Sequence, residues 1–379
     1  MNVASLPQMS SRSDHRLPKF AHCPPTTENL NFVHLENLDF SQFDSESARP
    51  QLAAKLLDGA SRHGFFTISG HGIPEDLYDS QVDLAHALLT IPPEEKLVYE
   101  TTPENEARSR YTGFKASGSQ KNKQGFHKTL DHYNIVANNP SSRKHPSILV
   151  PHLSQTNDLI NYFRHHLLPK LLTLVSMILD VPKEKLLSTH TSSLEGEVCS
   201  EYLRYLLYNP RPVDGTGQPR DLCLGGHTDW GSFTFQFSQP VSALQILLPS
   251  GQWKWVQYLP GALVVNVGEA LELLTGGIFR AAVHRAVKPP PDQERAKRLG
   301  IIYFARPPDG QKLEAIDSPV LRKSGRAQPP DQNVYTMSEY LHARNHGYKR
   351  LEFRKVTIVR DESESSNGSG PSQKGREDM

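Results

Sequence analysis

The spacing of apolar positions divides the chain into two regimes. Between Gln51 and Leu179 apolar residues recur every three or four positions, the mark of helices that bury one face. Leu52, Leu56, Leu57 and Ala60 form one such stripe, ended by Gly64, and "FFTIS" at Phe65–Ser69 follows as a strand. Leu77, Leu84 and Leu88 form a second stripe leading into "IPPEEKLVYE", where proline suits a helix start. A long helix is predicted over Asp158–Leu179, kinked or restarted at Pro169. After about Cys199 the period changes to two, with turn residues such as Pro249, Gly251, Pro260 and Gly261 between short apolar runs. Strands are predicted near 200–208, 233–238, 244–248, 253–257, 262–267, 283–287 and 299–305. Helices followed by many short strands predict an α+β fold whose β half closes into a sandwich or barrel.

Three stretches carry no such pattern. Residues 1 to about 30 are rich in Pro, Ser and His, and the final "DESESSNGSGPSQKGREDM" is charged and rich in Ser and Gly, so both read as poorly ordered. Thr101–Asn134 is polar and rich in Gly, Ser and Lys, which predicts an exposed loop or lid. Within it Lys121, Lys123 and Lys128 read as a solvated face, with a lid contact to an acidic substrate as the alternative. The expected organisation is an N-terminal arm over 1–36, a helical and mixed region over 37–180, a β-rich core over 181–351 and a disordered tail over 352–379.

Composition narrows the function. The 379 residues carry a formal net charge of +1 with 37% hydrophobic residues, enough to bury a sizeable core and giving no electrostatic reason to expect nucleic acid or a membrane surface. No apolar run approaches the roughly 20 residues of a spanning helix, and the N-terminus has no apolar signal core. The expectation is a soluble, cytoplasmic protein. Cys23, Cys199 and Cys223 are scattered and odd in number, which supports neither a disulfide framework nor a zinc ribbon.

The chemistry centres on "LCLGGHTDWGSFTFQF", residues 222–237. Residues i and i+2 of an extended chain share a face, so His227 and Asp229 present an imidazole and a carboxylate side by side. The blander reading is a polar strand end capping a turn. A third ligand has three histidine candidates after Asp229: His284, His342 and His346. The last two lie in a polar helical segment and read as solvent-facing, whereas His284 sits in the alternating run "AAVHRAV" and can point inward. Two histidines and a carboxylate form the facial set of non-haem Fe(II) oxygenases, which leaves positions open for cosubstrate and oxygen. Zinc accepts the same donors, but a structural zinc site closes with four protein ligands. A 2-oxo acid, the commonest source of the extra electrons, needs a planar cationic fork for its distal carboxylate. Arg298, 14 residues after His284, is the candidate; Arg285, Arg295 and Lys297 are rivals, and alternation turns Arg285 away from the metal.

"HTDWGSFT", "PGALVVNVGEALELLTGG", "VHRAV" and "RLGIIYFARP", in this order, together with "SRHGFFTISGHGIP" nearer the N-terminus, resemble the 2-oxoglutarate and Fe(II)-dependent dioxygenases of the isopenicillin N synthase type. The likeness runs from about Asn37 to Leu351. It implies a distorted double-stranded β-helix, or jelly roll, flanked by helices, with His227, Asp229 and His284 on Fe(II) and Arg298 on the distal carboxylate of 2-oxoglutarate. It further implies molecular oxygen and a small organic molecule, such as a natural-product intermediate, as substrates, with ascorbate as an optional accessory. Three positions depart from the pattern: Gly300 stands where Ser usually accompanies the arginine, Glu269 where Asp is commoner, and in "LLYNPRP" Tyr208 can keep the usual tyrosine role while Leu206 cannot act as the usual Asn. These departures leave open an Fe(II) oxidase that does not use 2-oxoglutarate. A zinc metallohydrolase and a non-catalytic jelly-roll binding module are rivals from other classes.

Overall fold

The computed structural model describes residues 17–102, 112–115, 130–137, 143–191, 200–210, 222–327 and 334–346. Its strands are β1 (Phe32–Val33), β2 (Asn37–Asp39), β3 (Phe65–Ser69), β4 (Gly113–Lys115), β5 (Leu130–Val136), β6 (Tyr202–Tyr208), β7 (Leu222–His227), β8 (Phe233–Phe237), β9 (Leu244–Leu247), β10 (Trp253–Val256), β11 (Leu263–Val267), β12 (His284–Val287) and β13 (Arg298–Ala305). From β6 onward the chain passes between two sheets. β6, β8, β11 and β13 belong to a sheet ordered β2-β3-β11-β8-β13-β6-β5-β4, and β7, β9, β10 and β12 to one ordered β1-β10-β9-β12-β7. This alternation is the jelly roll the sequence implied, and the helices make the fold α+β.

The larger sheet is covered on both faces, so its strands lose the simple alternation of apolar and polar residues. All eight residues of β13 are buried. Leu299, Ile301, Tyr303 and Ala305 join the core shared with the helices, while Ile302 and Phe304 meet Tyr202, Leu206, Tyr208 and Ala286 between the sheets. The helices Arg49–Arg62, Glu75–Leu89 and Leu168–Leu179 place their apolar stripes on the outer face, with Leu52, Leu56, Leu84, Leu88, Leu171 and Leu172 buried there. The second sheet and the lumen between the sheets are thereby left to build the site.

Every predicted strand is present, with ends within two residues of those expected. The lid expectation is corrected at its described ends. β4 and the first five residues of β5 lie inside the segment given to a lid, and β5 pairs with β6 along its whole length, from Leu130↔Tyr208 to Val136↔Tyr202. β5 reads as polar because its polar residues have partners inside the fold: Asp131 forms a buried ion pair with Lys96 at 3.3 Å, and Asn134 accepts a hydrogen bond from Arg204 Nε at 2.8 Å. Lys121, Lys123 and Lys128 lie outside the described residues. The expected break near Pro169 is a π turn, Phe163–Leu167, between the helices Leu153–Tyr162 and Leu168–Leu179. Proline has no N–H to return to the preceding turn, and the chain absorbs this by widening one turn, the Leu168 N–H reaching Phe163 O. Among the described residues no helix is long and apolar enough to cross a membrane.

The π turn points Phe163 at the sheet. Its ring stacks on Tyr303 at 5.1 Å and 5° and lies 5.4 Å from Phe235. Phe163→Ala is therefore expected to destabilise the fold by about 3–5 kcal/mol, read as a lower urea midpoint at unchanged slope. A change under about 1 kcal/mol would show that this contact does not hold the helices on the sheet.

Candidate active site

The structure brings His227, Asp229 and His284 together, with one ligand atom from each lying within 4.8 Å of the others. β7 ends on His227 and β12 begins on His284, and the two residues face each other across the antiparallel pair. Their rings stand 4.3 Å apart. Asp229 lies in the short turn from β7 of one sheet to β8 of the other, so its carboxylate sits at the seam between the sheets. His227 Nε2 is 3.9 Å from Asp229 Oδ1, and His284 Nε2 is 3.9 Å from Oδ2.

The rings are oriented through their other nitrogens. His227 Nδ1 is 2.9 Å from Gly225 O, and His284 Nδ1 is 3.2 Å from Ala282 O. A carbonyl can only accept, so each neutral ring donates from Nδ1 and turns an Nε2 lone pair toward Asp229. Asp229 Oδ2 accepts from Thr234 Oγ1 at 2.7 Å and Asn266 Nδ2 at 2.8 Å. Burial alone would raise the Asp229 carboxyl, but the adjacent His284 and His227, with the Asn266 and Thr234 hydrogen bonds, hold it below its ordinary range. Burial, with His227 beside it, lowers His284 to about 4. At neutral pH the set holds a neutral His284 beside an ionised carboxylate, the protonation a divalent ion requires. Each Nε2 stands 3.9 Å from a carboxylate oxygen, so the three side chains converge on one place with the donor types that a divalent ion takes. The residues fit Fe(II).

Arg298 opens β13 and is 5% exposed, whereas Arg295 and Lys297 are exposed. Its guanidinium carbon lies 5.3 Å from the Tyr208 ring, the residue paired with it across the sheet. Arg285 turns to the outer face, as alternation predicts, over Trp253 at 4.0 Å. Gly300 pairs with Leu206. A Cβ at position 300 would stand 3.1 Å from Leu206 Cγ and from Gln239 Nε2, so these two departures are one change: the leucine fills the space that a serine side chain would need.

Sequence reasoning did not assign Thr234 and Asn266, although both lie in the recognised motifs; their neighbour in space is set by strand pairing, Asn266↔Thr234. Glu269 proves to be a hub. It is 1% exposed and accepts from Thr228 Oγ1, from Tyr340 Oη at 2.5 Å and from Arg344 Nη2 at 3.1 Å, and its N–H donates to Asp229 O at 2.8 Å. The turn bearing Asp229 is thus tied to the helix Met337–Asn345. His342 and His346 lie at the end of that helix, their rings 4.1 Å apart and tilted by 38°, and do not join the His227 cluster.

Residues 35–157 match the profile described as non-haem dioxygenase in morphine synthesis N-terminal, and residues 199–307 that of the 2OG-Fe(II) oxygenase superfamily. A homoarginine-6-hydroxylase of Oryza sativa subsp. japonica is 28% identical over 66% of this chain and 76% of that protein. The 2-oxoglutarate-Fe(II) type oxidoreductase hxnY of Emericella nidulans is 28% identical over 70% of this chain and 78% of its own. The crystal structure of a full-length Neurospora crassa protein in complex with alpha-KG superposes with a TM-score of 0.71 at 21% identity, covering 86% of this chain and all of that one. The chain belongs to the 2-oxoglutarate and Fe(II)-dependent oxygenase superfamily, and its activity is that of a 2-oxoglutarate-dependent dioxygenase.

The geometry makes two outcomes testable. Gly300→Ser alone should weaken 2-oxoglutarate binding or stability, because its Cβ crowds Leu206, and Leu206→Asn in the same chain should reverse the loss. Tighter 2-oxoglutarate binding by the single variant would contradict the coupling. The second concerns acid. Burial also holds His190 at about 4, where its Nε2 meets Ser232 Oγ at 2.7 Å. The unfolded chain takes up protons at histidine near 6.5 and the folded one only near 4, so the metal-free protein loses stability as pH falls through that window and not above it. The loss is on the order of 3 kcal/mol per histidine. Urea midpoints between pH 7.5 and 4 should fall less steeply in His190→Asn than in the parent; equal slopes would count against the buried-histidine account.

Proposed function

We propose that His227, Asp229 and His284 hold Fe(II), and that Arg298, with Tyr208 against its plane, holds the distal carboxylate of 2-oxoglutarate. The substrate is a small organic molecule, such as a natural-product intermediate, that is hydroxylated, desaturated or cyclised. The observation that carries this reading is the convergence of two imidazoles and one carboxylate at a seam that opens on the same lumen as a buried arginine. When bound, Fe(II) would activate molecular oxygen, the oxidant, with 2-oxoglutarate giving two of the electrons and leaving as succinate and carbon dioxide, the substrate giving the other two, and ascorbate as an accessory reductant. The chain's own residues orient and exclude. Gly225 O and Ala282 O fix the ring faces; Thr234 and Asn266 hold one Asp229 oxygen and leave the other to the metal. The apolar wall of Leu206, Ile302, Ala286 and Leu224 keeps water from the path between Arg298 and the metal, where a dry surrounding strengthens every charge interaction.

The relatives' names favour small metabolites: the rice protein is named for hydroxylating homoarginine. A cytoplasmic setting is part of the same reading, since Fe(II) and a free Cys23 suit a reducing compartment.

Asp229→Ala should remove the only anionic donor of the set, so that anaerobic reconstitution leaves little Fe(II) on the variant while its thermal unfolding stays cooperative. Arg298→Ala should retain Fe(II) but raise KM for 2-oxoglutarate roughly 30-fold or more, the effect of losing about 2–5 kcal/mol from a charge-assisted pair. Equal iron content for Asp229→Ala, or an unchanged KM for Arg298→Ala, would overturn the corresponding assignment.

A further inference from the structure

The lumen contains a half-buried arginine that the iron and 2-oxoglutarate roles do not use. Arg204 lies on β6, two residues after Tyr202 and four before Tyr208, and pairs with Ile302. Its guanidinium carbon stands 5.2 Å from the Tyr202 ring and 5.0 Å from the Phe304 ring; these rings stack on each other at 4.6 Å. Its Nε–H donates to Asn134 Oδ1 at 2.8 Å, and Nη2 makes a long contact to Tyr202 Oη at 3.4 Å. Among the described residues no carboxylate lies within ion-pair distance of it. The plane is fixed by the rings and Nε by the amide, which leaves the Nη edge as a donor pair with no acid to take it. A second guanidinium, that of Arg306, stands 4.9 Å from the Tyr202 ring.

Strand register relates this arginine to the metal set. Phe304 pairs with Thr234 of β8 and with Tyr202 of β6, and directly paired residues share a face. Thr234 is the residue that donates to Asp229. Arg204 is therefore two strand spacings, about 10 Å, across the sheet from the hydroxyl that supports the carboxylate, and one pleat along. That separation suits a molecule with an acid group at one end and the reacting C–H bond at the other.

We propose that Arg204 is the anchor for a carboxylate on the substrate, which makes the enzyme selective for small organic acids carrying a flat or apolar body that packs on Tyr202 and Phe304. An arginine already stacked on two rings and bonded at Nε loses little freedom when it engages an acid, and its fork matches a carboxylate. This assignment rests on the reading of His227, Asp229, His284 and Arg298 given above, in that it reserves Arg298 for 2-oxoglutarate.

The test compares acids with their neutral twins. Phenylacetate, 3-phenylpropanoate, indole-3-carboxylate and octanoate, each beside its primary amide, are titrated calorimetrically into the anaerobic protein loaded with Fe(II) and 2-oxoglutarate, and into the metal-free protein. The parent should bind at least one acid roughly tenfold more tightly than its amide. Arg204→Gln should bring acid affinity down to that of the amide, Arg204→Lys should keep part of the preference, and KM for 2-oxoglutarate should stay unchanged in both. The proposal is overturned if no acid outbinds its amide on the parent, or if the preference survives in Arg204→Gln. A raised KM for 2-oxoglutarate in Arg204→Gln also overturns it, since Arg204 would then be the cosubstrate anchor. Failure of the Arg298 reading is seen separately, in an unchanged KM for Arg298→Ala, and the acid preference of the metal-free protein is read independently of both.

Discussion

A carboxylate is held at the junction of two sheets, and much of the molecule is arranged around that constraint. Asp229 is 11% exposed, and an anion withdrawn from water is tolerated only where hydrogen bonds and opposite charge replace its hydration. The larger sheet supplies Thr234 and Asn266 to one oxygen. The smaller sheet supplies the two imidazoles, paired across β7 and β12. Neither sheet holds the complete set, so the jelly-roll path that crosses between them is what assembles it. On the proposed reading, a cation shared by the three side chains would complete the charge balance, tying metal retention to the packing of sheet on sheet.

The surroundings follow from that seam. Glu269 fastens the Asp229 turn to the helix Met337–Asn345 through Thr228, Tyr340 and Arg344. One methylene longer than aspartate, it has the reach to serve the turn and the helix together. Along β13 the lumen side runs from Phe304 through Ile302 and Gly300 to Arg298, with β6 supplying Tyr202, Arg204, Leu206 and Tyr208 opposite. Cationic groups thus stand at two depths of a mostly apolar passage.

Much of this could be read in the sequence because it is local. The period of two in "HTD" puts imidazole and carboxylate on one face, and alternation in "VHRAV" separates His284 from Arg285. Arg295 and Lys297 stayed rivals of Arg298 until burial separated them, Arg298 being 5% exposed and the other two open to solvent. What escaped was long-range. β5 looked like a loop because Asp131 and Asn134 are satisfied by Lys96 and Arg204, residues 35 and 70 positions away in the chain. β7 was weakened as a strand signal by Gly225 and Gly226, yet Gly226 is where the Trp253 ring approaches, 3.3 Å from where a Cβ would stand. The Leu206 and Gly300 departures looked like two separate losses until the register showed them side by side.

The most direct test is a crystal structure of the parent grown anaerobically with Fe(II) and 2-oxoglutarate, with anomalous scattering recorded at the iron edge. A single anomalous peak bonded to His227 Nε2, Asp229 and His284 Nε2, with the distal carboxylate of 2-oxoglutarate forked by Arg298, is the predicted result. An iron peak away from these three side chains, or the distal carboxylate lying on Arg204 instead, would contradict it.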